Sequence, residues 1–120
     1  ARLLGSITAL VRSELDEIDS GTLAVITPEQ YVKPLSESFK ASNIEHGLVD
    51  DGALTSQVTI VPVDLVKGLE IDIAIVIEPS EILHSATNGE RSLYVALTRA
   101  TRRLLILHAD DLPEVLQATE

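Results

Sequence analysis

The chain of 120 residues contains no cysteine, methionine or tryptophan, and its only aromatics are Tyr31, Phe39 and Tyr94. Without cysteine there is no disulfide scaffold, no thiolate zinc site and no cysteine nucleophile. Positive charge is also scarce. Nine Lys and Arg stand against nineteen Asp and Glu, for a net charge of −10. Long apolar runs are missing as well; a run such as Ile73 to Ile77 is far short of the roughly 20 residues that span a bilayer. No basic start followed by an apolar stretch marks a signal peptide. The absence of Met, with an opening Ala1-Arg2-Leu3-Leu4 that sits mid-pattern for a helix, is expected of a piece of a longer protein. Removal of an initiator ahead of Ala1 gives the same first residue.

What is present is a globular pattern, 45% hydrophobic, of a length that fits one domain. Leu3, Leu4, Ile7, Leu10, Val11, Leu15 and Ile18 recur at three- and four-residue spacing and predict an amphipathic helix. Glu14, Asp16, Glu17 and Asp19 are expected on its outer face, and Gly21 as its stop. Thr22 to Ile26 reads as a buried strand. Thr27-Pro28-Glu29-Gln30 reads as a capping box opening a helix over Val32, Leu35 and Phe39, with a kink or restart at Pro34. Ile44 to Val49 and Gln57 to Val63 are strand candidates on either side of an Asp50-Asp51-Gly52 turn, with Pro62 near a strand end. Ile71 to Ile77 reads as a central parallel strand covered on both faces. Asn88 is expected to cap a helix from Gly89 to Thr101. Leu104 to Leu107 reads as a last strand and Asp111 to Ala118 as a short helix. Strands alternating with helices predict an α/β domain with a mainly parallel sheet.

Several chemistries are excluded. There is no G-x-x-x-x-G-K-[ST] loop and no G-x-G-x-x-G fingerprint. His46, His84 and His108 lack metal-ligand spacing, and no metal site is expected. Two segments remain: Val66-Lys67-Gly68-Leu69-Glu70, and Leu93-Tyr94-Val95-Ala96-Leu97-Thr98-Arg99-Ala100 followed by Thr101, Arg102 and Arg103. Each alone has a plain reading, as a turn between strands and as cations at a helix C-terminus.

Together, in this order and spacing, they resemble motifs V and VI of superfamily 1 helicases of the UvrD/Rep type. The resemblance covers Val58 to Leu107 well, and the earlier TLAVITPEQY segment more loosely. It implies a three-layer RecA-like fold of the P-loop NTPase kind, with residues 1–120 forming the second motor domain of a larger ATP-dependent DNA helicase. In that family two RecA-like domains clamp ATP. By resemblance, Arg99 is an arginine finger on the γ-phosphate, Glu70 holds the nucleotide sugar, and Gly68 lets the backbone approach closely. Lys67 receives no role. Mg²⁺ and the triphosphate are held by the upstream P-loop domain, so the fragment alone is expected to hold neither and to be inactive. Single-stranded DNA is the implied partner, and the cytoplasm the implied location, with no membrane contact.

The sequence also departs from the family. Pro62 and Asp64 stand where many members carry the Thr and His of motif V. The stretch Ala41–Glu90 holds nine acids and one base, Lys67, whereas DNA-gripping surfaces are basic. The V-x-x-V-K-G-L-E…E-P pattern from Val63 to Pro79 and the acidic surface resemble the helicase IV/HelD-like branch, some of whose members act on RNA polymerase. The departures also keep open a non-catalytic protein-interaction module.

Overall fold

The computed structural model of the protein describes residues 2–17, 21–48, 56–85 and 89–107. In chain order these form helix α1 (Arg2–Glu17), strand β1 (Leu23–Thr27), a 3-10 turn (Glu29–Tyr31), helix α2 (Val32–Ala41) and strand β2 (Gly47–Leu48). Strand β3 (Val58–Pro62), a second 3-10 turn (Val63–Leu65), strand β4 (Ile71–Ile77), helix α3 (Pro79–Ser85), helix α4 (Gly89–Leu97) and strand β5 (Ala100–Leu107) follow. The five strands form one sheet in the order β2-β3-β1-β4-β5, and every neighbouring pair is parallel.

Side-chain alternation divides the core into two layers. Leu23, Val25, Val58, Ile60, Ile73, Ile75 and Ile77 meet Ile7 and Val11 of α1 and Leu35 and Phe39 of α2 on one face. Ala24, Ile26, Val61, Ala74 and Val76 meet Ile82 of α3 and Leu93 and Ala96 of α4 on the other. β1 is buried along its whole length, and β4 everywhere except the half-buried Asp72. The expected three-layer α/β fold with a parallel sheet is therefore present.

Local expectations are met unevenly. Ile7 and Val11 are buried, as the helical stripe requires. Glu14, however, is only 6% exposed. It lies seven residues after Ile7, on the inward stripe rather than the outer face, and its carboxylate accepts a 2.7 Å hydrogen bond from Arg103 on β5. Gly21 has φ +113°, a conformation that favours glycine; α1 is described to Glu17, and the stretch that joins it to Gly21 lies outside the described residues.

The capping box at Thr27 does not form. Thr27 ends β1, its hydroxyl donates to the Pro28 carbonyl, and Gln30 donates instead to Glu81 of α3. Tyr31 reaches the same carboxylate at 2.6 Å. α2 starts at Val32, so Pro34 falls in the first turn, where a missing N–H breaks no helical bond. β2 is shorter than the expected strand. α4 ends at Leu97 and β5 begins at Ala100, which moves Arg102 and Arg103 from an expected helix end onto a strand. The turn at Asp50-Asp51-Gly52, Asn88 and the helix over Asp111–Ala118 lie outside the described residues.

Sequence reading also missed α3. Glu78, buried with φ 49°, turns the chain out of β4, and its N–H donates to the Leu107 carbonyl at 2.8 Å. Pro79 then takes the first helical position, where its fixed φ suits the helix. Gly89 packs α4 directly on this helix: a Cβ there would lie 1.8 Å from the Leu83 carbonyl oxygen, whereas one at Gly5 on α1 would meet nothing within 4 Å.

These two glycines should respond in opposite ways to the same change. Gly89→Ala forces backbone apart and should destabilise the fold by about 2–3 kcal/mol. Gly5→Ala adds a methyl in open space on an exposed helix and should stabilise by about 0.5–1 kcal/mol. Urea unfolding of the two variants measures both.

Candidate functional site

The two motif segments are brought together by apolar packing. After β3 the chain makes its 3-10 turn at Val63–Leu65, and the Leu69 N–H then closes a further turn onto the Val66 carbonyl at 3.1 Å. Gly68 in that turn has φ +86°, a left-handed conformation that costs other residues roughly 1–2 kcal/mol. A Cβ on it would meet nothing within 4 Å, so the surface there is open. Val63, Val66 and Leu69 point inward and pack in the same cluster as Leu93 and Ala96 of α4. Asp64, Lys67, Gly68 and Glu70 are left on the surface.

A backbone contact completes the apposition. The Ile71 N–H donates to the Arg99 carbonyl at 3.3 Å, so Glu70 and Arg99 flank one hydrogen bond where β4 and β5 begin. Sequence reading singled out Gly68, Glu70 and Arg99, and the fold gathers these segments at one end of the sheet. Glu70 is exposed, and among the described residues its carboxylate has no hydrogen bond or ion pair.

Arg99 is half-buried. Its Nε–H donates to the Val95 carbonyl at 3.1 Å and Nη2 to Thr98 Oγ1 at 3.4 Å. A cation on the last carbonyls of a helix is favoured by the helix dipole, so the plain reading of Arg99 as a helix-end cation describes its local contacts. Among the described residues no carboxylate neutralises it, and its end-on donors remain for an anion.

Arg103 is different. Its Nη1 lies 2.7 Å from Glu14 and 3.5 Å from Glu17. The hydrogen bond and charge of Glu14 raise its pKa further above the usual arginine value, so its charge is matched within the fold.

The same end of the sheet is tied by one carboxylate. Asp72 Oδ2 accepts from the Thr22 N–H at 2.8 Å, and Asp72 Oδ1 from the Thr101 hydroxyl at 3.4 Å. The Asp72 N–H in turn donates to Thr22 Oγ1 at 3.1 Å. β1, β4 and β5 are thereby joined two residues beyond Glu70 and Arg99. This clip was missed from sequence, because its partners are 50 and 29 residues apart and no local pattern announces them.

His46 lies beside β2, at the other edge of the sheet from β4 and β5. His46 shares one ring nitrogen with Ser36 Oγ at 2.8 Å and the other with the Ile44 carbonyl at 3.0 Å, and packs edge-on against Phe39. Both nitrogens therefore have structural partners. Among the described residues no group of three His, Cys, Asp or Glu is placed to hold a metal ion, and no described helix is long and apolar enough to cross a membrane.

Residues 57–107 match the model of the UvrD-like helicase C-terminal domain. The matched segment runs from β3 to the end of β5 and holds both motif segments. The fold is similar to the crystal structure of the C-terminal domain of a possible DNA helicase from Lactobacillus plantarum WCFS1. That likeness has a TM-score of 0.76 and 25% sequence identity, and it covers 94% of this chain and 73% of the other. No curated protein matches the chain. The helicase-like segment is thus matched by sequence, and nearly the whole chain by fold.

Neighbouring residues of the second motif should separate packing from surface function. Leu93 is 3% exposed and Tyr94 68%. Leu93→Ala should destabilise by about 2–4 kcal/mol, while Tyr94→Ala should stay within about 0.5 kcal/mol. Chemical denaturation of both variants checks the difference.

Proposed function

We propose that residues 1–120 are the second RecA-like motor domain of an ATP-dependent superfamily 1 helicase, which completes an ATP site begun by an upstream P-loop domain of the same protein. The observation that carries this reading is the placement of Arg99 and Glu70, neither with an ion-pair partner among the described residues, on either side of the Ile71–Arg99 hydrogen bond inside the helicase-matched segment.

The chemistry follows from the residue types. Arg99 brings a permanent, planar cation to the charge that develops on the transferring phosphoryl oxygens. The Glu70 carboxylate accepts from a ribose hydroxyl. Open space over Gly68 lets the nucleotide lie close to the backbone. A Mg²⁺ bound with the nucleotide would supply further positive charge to the phosphate oxygens that Arg99 faces. Among the described residues no group of three His, Cys, Asp or Glu is placed to hold a metal ion, so this reading assigns the metal to the upstream domain, and the chain alone should not hydrolyse ATP.

Single-stranded DNA is the substrate of choice for such a motor, working in the cytoplasm. One feature favours a second target. Asp64, exposed on the 3-10 turn after β3, repels phosphate where the family carries a His, which supports a HelD-like motor acting on RNA polymerase. Stimulation of the full-length ATPase by single-stranded DNA supports the helicase. Stimulation by RNA polymerase alone supports the remodeller, and an intact protein that never hydrolyses ATP leaves the interaction module.

In the full-length protein, Arg99→Ala should lower ATP turnover by about 10³-fold or more, while ATP binding stays within several-fold. Arg99→Lys should not restore it, because the planar fork is lost. Steady-state turnover and equilibrium nucleotide binding test this, and near-normal turnover of Arg99→Ala would remove the finger assignment.

A further inference from the structure

We propose that Thr98 is a positioning residue that sets the orientation of the Arg99 guanidinium for the phosphoryl group. The inference rests on the arginine-finger reading of Arg99. α4 ends at Leu97, and Thr98 is the first residue beyond it. Its backbone N–H lies 3.1 Å from the Tyr94 carbonyl and 3.2 Å from the Val95 carbonyl. Its hydroxyl lies 3.0 Å and 3.1 Å from the same two oxygens. A hydroxyl has one proton and two lone pairs. With the proton directed to these helix-end carbonyls, a lone pair of Oγ1 faces outward, and Arg99 Nη2 donates to it at 3.4 Å.

The neighbouring donor of the same guanidinium edge, Nε–H, is held by the Val95 carbonyl at 3.1 Å. The side-on edge of Arg99 is therefore fastened to its own helix end at two points. The opposite, end-on edge, formed by Nη1 and the second Nη2 proton, is left to meet an anion. An arginine held by Nε alone can still rotate this end-on edge, and the Thr98 oxygen removes that freedom. Threonine suits the task because its β-branched side chain has few χ1 rotamers and can bond a carbonyl of the preceding turn.

A helix cap and a positioning residue make different demands on the side chain. Thr98→Val keeps the shape and removes the oxygen, while Thr98→Ser keeps the oxygen. In the full-length ATPase, Thr98→Val should lower kcat about 10–100-fold with the KM for ATP within about threefold, the pattern of a loss felt in the transition state. Thr98→Ser should remain within about threefold of wild type in kcat. Thr98→Val added to Arg99→Ala should cause no further loss, because residues acting through one another are not additive. Thr98→Ala serves as a second oxygen-free variant if the valine protein does not fold, with circular dichroism confirming the folded state.

Normal turnover of a folded Thr98→Val or Thr98→Ala protein, alongside inactive Arg99→Ala, overturns the role of Thr98 and leaves the finger standing. A further loss in the double variant also overturns it, since Thr98 would then act independently of Arg99. Near-normal turnover of Arg99→Ala instead removes the finger reading on which the inference rests.

Discussion

Burial of β4 on both faces is the constraint from which the rest of the structure follows. Ile73, Ile75 and Ile77 face one helical layer, and Ala74 and Val76 the other. A strand of this kind cannot tolerate water on either side, so both layers must be present. Its one polar residue, Asp72, lies near the strand's beginning and is admitted because its carboxylate and its N–H both find partners on β1 and β5. A Cβ on Gly21 would lie 2.5 Å from Asp72 Oδ2, so the close approach of the preceding loop also depends on a residue without a side chain. The candidate site begins where this strand begins, and its geometry inherits the rigidity of the three strands joined there.

Much of this was legible because it depends on short-range periodicity. The apolar runs at 23–26, 58–61 and 71–77 became central strands, since their β-branched, two-faced character leaves few alternatives. The motif pair was legible through its resemblance to a known order of motifs, not through periodicity. Val63, Val66 and Leu69, with Leu93 and Ala96, bury one side of each segment at fixed spacing and so leave Asp64, Glu70 and Tyr94 outside. Element ends were less legible. Thr98, Arg99 and Thr101 suit a helix end or a strand start equally well, and the choice is settled by the Ile71–Arg99 hydrogen bond, a contact made across the sheet. Glu14 misled for the opposite reason: its charge suggested solvent, while its spacing from Ile7 and Val11 placed it inside, where Arg103 meets it.

Two arginines close together in sequence, Arg99 and Arg103, stand in different surroundings. Arg99 remains without a carboxylate partner among the described residues, and Arg103 is matched by Glu14 and Glu17. The difference arises from secondary structure. The early start of β5 places Arg103 across from α1 and leaves Arg99 at the helix end. Within this acidic chain, Arg103 is neutralised locally while Arg99 has no carboxylate partner among the described residues.

The sheet order also decides which strands stand at its edges. Among the described residues, β2 and β5 are the outer strands, and an outer strand offers unpaired backbone groups to any other chain. Among the described residues β2 spans Gly47–Leu48. β5 is long, but its first half carries Thr101, Arg102 and Arg103 exposed in succession. Arg103 is held there by Glu14 and Glu17 of α1, so this part of the outer strand is tied to the first helix of its own molecule.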